Sequence, residues 1–112
     1  MKSQLRNEWC DALRSGKYKQ CKHVLTNGKA YCCLGVLAKV AGLTELPDNG
    51  NDSPRFKTNK GLLLYDAFTE EYLQQLGLRE IQQSDLIDLN DNDNKNFSEI
   101  ADYIEREILC SD

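Results

Sequence analysis

An Asn-Gly pair, Asn27-Gly28, stands between the apolar runs Val24-Leu25 and Ala30-Tyr31-Cys32-Cys33, and it constrains the path of the whole N-terminal half. A type I′ turn needs positive φ at both central residues, which Asn and Gly tolerate best, so the pair predicts a two-residue β-hairpin. Leu25 then opposes Ala30, Val24 opposes Tyr31 and His23 opposes Cys32. Side chains alternate between the two faces of a strand, so Cys21, His23, Leu25, Ala30 and Cys32 share the more apolar face, expected to meet the core. Directly after Cys33 the period becomes helical, with Leu34, Leu37 and Ala41 on one side and Gly42 as a stop.

Further elements follow from period and capping. Leu5, Trp9, Ala12 and Leu13 form one face of a helix over 3–15, with Ser3 as N-cap and Gly16 just past the end. Residues 44–60 hold both prolines and a cluster of Asn, Asp, Gly and Ser, and are expected to be one long polar loop. The GLLLYD run that follows fits either a short strand or a first helical turn. Thr69 caps a helix that stops at Gly77, with Phe68 and Leu73 as a hydrophobic staple. SDLIDL predicts another short helix. Asn96 and Glu99 form a capping box for the last helix, whose core face is Phe97, Ile100, Ala101, Ile104 and Ile108. The expectation is a single α+β domain over 1–112, with several helices packed on a small antiparallel sheet that includes a 19–33 hairpin.

Length and composition set the outer bounds. The chain has 112 residues, 40% apolar and 29% charged, which suits one domain with one core. The longest apolar run is far too short to span a bilayer, and the first ten residues lack the apolar stretch of a secretory signal. Five cysteines, an odd number in no scaffold spacing, then point to free thiols in a reducing cytoplasm. A net charge of −4 argues against generic attraction to nucleic acid or to anionic membrane. Neither is expected as a partner, and no cofactor is implied.

Four constellations could carry chemistry. Cys32 beside His23, near a helix N-terminus, has the make-up of an activated thiol, although nothing in the sequence orients the imidazole. Cys21, His23 and Cys32 on one face could be three zinc ligands, but a fourth has no nearby source. Core packing explains these cysteines more simply. Asp88, Asn90, Asn92 and Glu99 fall at oxygen positions of a calcium loop, but Asp93 stands where that loop needs glycine and Lys95 where it needs an apolar residue. SDLIDL…NFSEIADYIE suggests the first helix of a DNA-binding helix-turn-helix, yet only acidic EREILCSD follows where a recognition helix belongs. Arg55, Lys57 and Lys60 around Phe56, with Lys17 and Tyr18 as a second basic stretch, are the small-molecule candidates: cations for an anionic ligand and a ring to stack on a base.

Three stretches carry a family resemblance: Trp9-Cys10-Asp11-Ala12-Leu13-Arg14-Ser15-Gly16 with Tyr18 and Gln20; Tyr31-Cys32-Cys33-Leu34-Gly35-Val36-Leu37; and Leu89-Asn90-Asp91 with Phe97-Ser98-Glu99-Ile100-Ala101-Asp102-Tyr103-Ile104-Glu105. Together they resemble small proteins encoded by tailed bacteriophages and prophages. The resemblance implies an accessory product acting inside an infected bacterium, where such proteins bind host factors or sequester small signalling molecules of host defence. It implies no catalytic residues. The reading is a non-enzymatic binding protein with a host protein as partner, and homo-oligomer formation is compatible with it. A small anionic ligand such as a signalling nucleotide is the alternative, and a Cys-His thiol enzyme or a metal-binding protein is a second.

Overall fold

The computed structural model describes all residues, 1–112, and builds an α+β domain of five helices and one three-stranded antiparallel sheet. In chain order these are α1 (Ser3–Arg14), α2 (Cys33–Val40), β1 (Thr44–Leu46), β2 (Arg55–Lys57), β3 (Leu63–Leu64), α3 (Glu70–Leu76), α4 (Glu80–Asp91) and α5 (Phe97–Glu107). Helix α1 packs on α5 and α2, and α4 packs on α2 and α5. No helix is long and apolar enough to cross a membrane.

Helix α2 is the centre of the arrangement. Every residue from Cys33 to Ala38 is buried, the condition of a helix that is apolar all round. Its backbone also sits unusually close to a neighbour: a Cβ on Gly35 would lie 1.9 Å from the carbonyl oxygen of Leu25. Only glycine lets the two backbones meet there. Across the helix, the Trp9 indole, fully buried on α1, donates to the Cys33 carbonyl at 2.9 Å. On α5 the expected stripe of Phe97, Ile100, Ala101, Ile104 and Ile108 is buried, and Asn96 and Glu99 form the capping box. Thr69 caps α3 by accepting from Tyr72 N–H at 3.2 Å.

The sheet lies elsewhere than the Asn27-Gly28 turn indicates. The chain does reverse there, but the segment makes only isolated bridges, Thr26 with Tyr31 and Gln20 with Tyr31, the latter parallel. Asn27 is the reason: its side-chain oxygen accepts from Lys29 and Ala30 N–H, a local turn that widens the loop to four residues. Of the pair, only Gly28 has positive φ. The register therefore shifts, and Leu25, not His23, faces Cys32, whose N–H bonds the Leu25 carbonyl at 3.2 Å.

Residues 44–60, expected as a long polar loop, hold the first two strands instead. Glu45 pairs with Phe56 and Leu46 with Arg55, and Leu63–Leu64 resolves the ambiguous GLLLYD run as the third strand. Phe56 anchors the sheet as a fully buried core ring. Helix α4 is also longer than SDLIDL suggested, running twelve residues, with Gln82 reaching back to the Arg79 N–H.

Candidate functional site

The cysteines are built into the architecture. Cys32 is the N-cap of α2, its sulfur accepting from Gly35 N–H at 3.4 Å. Burial pushes its thiol up to about 12, the opposite of an activated nucleophile. Cys33 is fully enclosed, its thiol against the Leu86 carbonyl at 3.7 Å, and burial raises it well above the usual thiol range. His23 is exposed in a left-handed conformation (φ 72°) and turns to Asp91, its Nδ1 3.6 Å from the carboxylate. No group of three or more His, Cys, Asp or Glu side chains is arranged to hold a metal ion. The imagined calcium loop is used differently. Asp88 and Asn90 are within α4, Asn92 donates back to Asp88 at 2.9 Å, and Glu99 caps α5.

The cationic candidates do not converge either. Arg55 is buried, its Nη1 donating to the Pro47 and Ser53 carbonyls at 3.1 and 3.0 Å and its Nε lying 3.1 Å from Asp52. Its Nη1 ties the two ends of the 47–53 turn together, while the buried Nε meets Asp52 as an ion pair without a hydrogen bond. Phe56 offers no face for stacking, being enclosed beside Tyr31 with ring centroids 6.4 Å apart. Tyr18 packs edge-on against the same Tyr31, and Lys17 lies over the Tyr18 ring at 5.7 Å. Lys57 is exposed, and Lys60 pairs with Glu71 at 3.2 Å.

What the fold brings together is a groove of about 480 Å³ between α1, the end of α2, the turn joining β2 to β3, and α3. Leu5, Val40, Leu43, Leu62 and Leu76 form its apolar walls. Leu62 remains 42% exposed at the edge and its neighbour Leu63 38%, so large apolar surface is left open to water beside the groove. The Tyr72 ring, buried and packed edge-on against Phe68 at 5.2 Å, lines the same space, and its hydroxyl makes no hydrogen bond within the chain. The side-chain amides of Asn59 and Gln75 also line it and are equally uncommitted. Lys60 and Glu71 stand at this site as a mutually neutralising pair.

A second hollow, lined by Gly28, Tyr31, Lys39, Glu45 and Pro47, is polar and internally satisfied. The Glu45 carboxylate accepts from Tyr31 at 2.7 Å and Thr26 at 3.0 Å, and lies 3.3 Å from the Lys39 ammonium. Burial, reinforced by Glu45, holds the Tyr31 phenol up to about 12. This hollow is a clasp between β1, α2 and the 26–31 turn.

Sequence reasoning missed the groove because its lining is gathered from four separated segments. One signal was available: three successive leucines, Leu62-Leu63-Leu64, cannot all face inward from an alternating strand. Only Leu64 does.

In comparisons with known proteins, the family model described as a domain of unknown function, DUF8296, matches residues 1–59. No curated protein and no solved structure matches the chain.

Proposed function

Because the chain belongs to the family described as the domain of unknown function DUF8296, whose description specifies no activity, we propose a function from the groove itself: a non-enzymatic binding protein that docks another protein there. The observation that carries this reading is the combination of apolar walls, exposed Leu62 and Leu63 beside them, and polar side chains left without partners in the chain. Apolar surface kept open to water costs about 25 cal/mol per Å², which a docked partner recovers. Burial keeps the Cys32 and Cys33 thiols protonated at neutral pH, which speaks against the paired cysteines as a nucleophilic site. The likeness to small phage and prophage proteins, carried by the motifs around Trp9, Cys32 and Phe97, supports a host protein of the bacterial cytoplasm as partner and a role against host defence.

A photo-crosslinking amino acid placed at position 62 and expressed in a bacterial host tests this, with position 8 as the control. Glu8 is exposed and lines neither hollow described above. Protein adducts from position 62 and none from position 8, lost on adding Leu43→Asp, are the expected result. A position-62 derivative that copurifies with a small molecule and yields no protein adduct refutes it.

A further inference from the structure

The polar groups of the groove specify what kind of segment it accepts. Asn59 and Gln75 each carry a carboxamide, the same pairing of one carbonyl acceptor with N–H donors that a peptide group presents. Both are exposed and neither bonds within the chain. The Tyr72 hydroxyl adds one donor and one acceptor from a ring that is itself 8% exposed and therefore fixed in place. Three uncommitted amide-matching groups around apolar walls complement a polypeptide main chain whose side chains point at those walls. The volume, about 480 Å³, falls within the range that encloses ligands of several residues' bulk.

The charges narrow the choice further. The Lys60 ammonium is already neutralised by Glu71 at 3.2 Å, and Lys60 and Glu71 are the charged residues that line the groove. With side chains 74% and 67% exposed, the pair is screened by water and carries no net charge, so the groove offers neither an anionic nor a cationic ligand a field to bind to. An uncharged occupant needs none. We infer that the groove takes an uncharged, apolar segment of another polypeptide, with one or two large aliphatic or aromatic side chains against Leu43, Leu62 and Leu76 and its main chain held by Asn59, Gln75 and Tyr72. This inference rests on the docking reading above and adds the chemistry of the partner.

The test uses capped amino acids, which present one side chain between two peptide groups. The full chain, labelled with ¹⁵N, is titrated with N-acetyl-leucinamide, N-acetyl-tryptophanamide and N-acetyl-aspartamide while amide resonances are followed. The two apolar probes should shift Leu62, Tyr72 and Gln75 saturably with a Kd on the order of millimolar, and the aspartate probe should bind at least about tenfold more weakly. The double variant Asn59→Ala/Gln75→Ala, altered only at exposed side chains, should weaken the leucine probe about fivefold or more while its urea midpoint stays unchanged. Equal binding of the aspartate probe overturns the inference, as does undiminished binding by the double variant. Groove resonances that move on dilution, together with a dimer in sedimentation, would make a second copy of this chain the occupant and overturn it as well. Should the probes fail to bind while position 62 still crosslinks to a protein, the peptide chemistry is wrong and the docking reading survives. Failure of both removes both.

Discussion

Asn90 fills all of its bonding positions inside the fold. Its oxygen accepts from Gln20 at 2.9 Å and from the Cys33 N–H at 3.2 Å; its nitrogen donates to the Cys21 carbonyl and to Asp91, each at 2.8 Å. One buried carboxamide thus fixes the 20–24 segment and the start of α2 to the end of α4. Asn90→Leu keeps the volume and strands these partners, and each buried group left unbonded costs about 1–3 kcal/mol. A loss of about 3 kcal/mol in urea unfolding is expected. Asn90→Asp supplies a different signature. It places a second carboxylate beside Asp91 in a buried site, which raises its pKa in the folded state above the unfolded value. Stability from such a group is complete below the unfolded pKa and is lost as pH rises through the folded one, so the variant's deficit should grow from pH 4 to pH 7. A deficit constant over that range would show that Asn90 is not enclosed as described.

Elements in this chain are held together at backbone contacts and polar clasps as much as by apolar faces. The Gly35–Leu25 approach is one such contact. Gly35→Ala must push α2 off the 25–31 turn, because the added Cβ would meet the Leu25 oxygen at 1.9 Å. A loss of about 3 kcal/mol or more in chemical denaturation is expected, beyond the roughly 1 kcal/mol that helix propensity would return. The Glu45 clasp is another. In Glu45→Gln the Tyr31 phenol loses its neighbouring negative charge, so spectrophotometric titration should find it ionising below its present value of about 12. An unchanged titration would mean that burial alone sets it. These contacts also explain what could be read in advance. Caps and 3.6-residue stripes made α3 and α5 legible, since each signal is local. Helix α1 showed its stripe and its Gly16 stop, but its N-cap is Lys2, and Ser3, expected as the cap, lies inside the helix with its hydroxyl donating to Asp112. The strands were not, because three-residue elements such as Arg55–Lys57 are too short to show a period, and their Asn-Gly turn, Asn49-Gly50, was hidden among prolines and acids. Asn27-Gly28 advertised a hairpin more loudly, and the Asn27 side chain diverted it into a wider turn. For the candidate site, charge and aromatic content drew attention to Arg55 and Phe56. Burial, which sequence does not report, had already committed both.

At the scale of the whole molecule, the buried thiols make stability a function of alkaline pH. Cys10 on α1 is held up to about 11, by burial first and then by the charge of Glu105, Cys32 is held up to about 12, and burial raises Cys33 well above the usual thiol range. In the unfolded chain the same thiols titrate near ~8.5. The unfolded state therefore releases its protons first as pH rises. Stability from these groups is whole below about pH 8 and drains away above it. Each thiol costs up to ~1.4 kcal/mol per pH unit over that window, so three of them remove on the order of 4–6 kcal/mol by about pH 10. That is comparable to the entire stability of many small domains, about 5–15 kcal/mol. Under reducing conditions the urea midpoint should be level from pH 6 to 8 and fall steeply toward pH 10. Cys33→Ala, although less stable at pH 7 through the cavity it leaves, should lose about a third of that alkaline slope. A wild-type midpoint that stays level to pH 10 would mean the thiols reach solvent, and the packing of α2 between α1 and α4 would have to be redrawn. A slope that survives undiminished in Cys33→Ala would instead assign the alkaline limb to Cys10 and Cys32, since the phenols of Tyr31 and Tyr103, held up to about 12 chiefly by burial, take effect only above the unfolded phenol value of about 10.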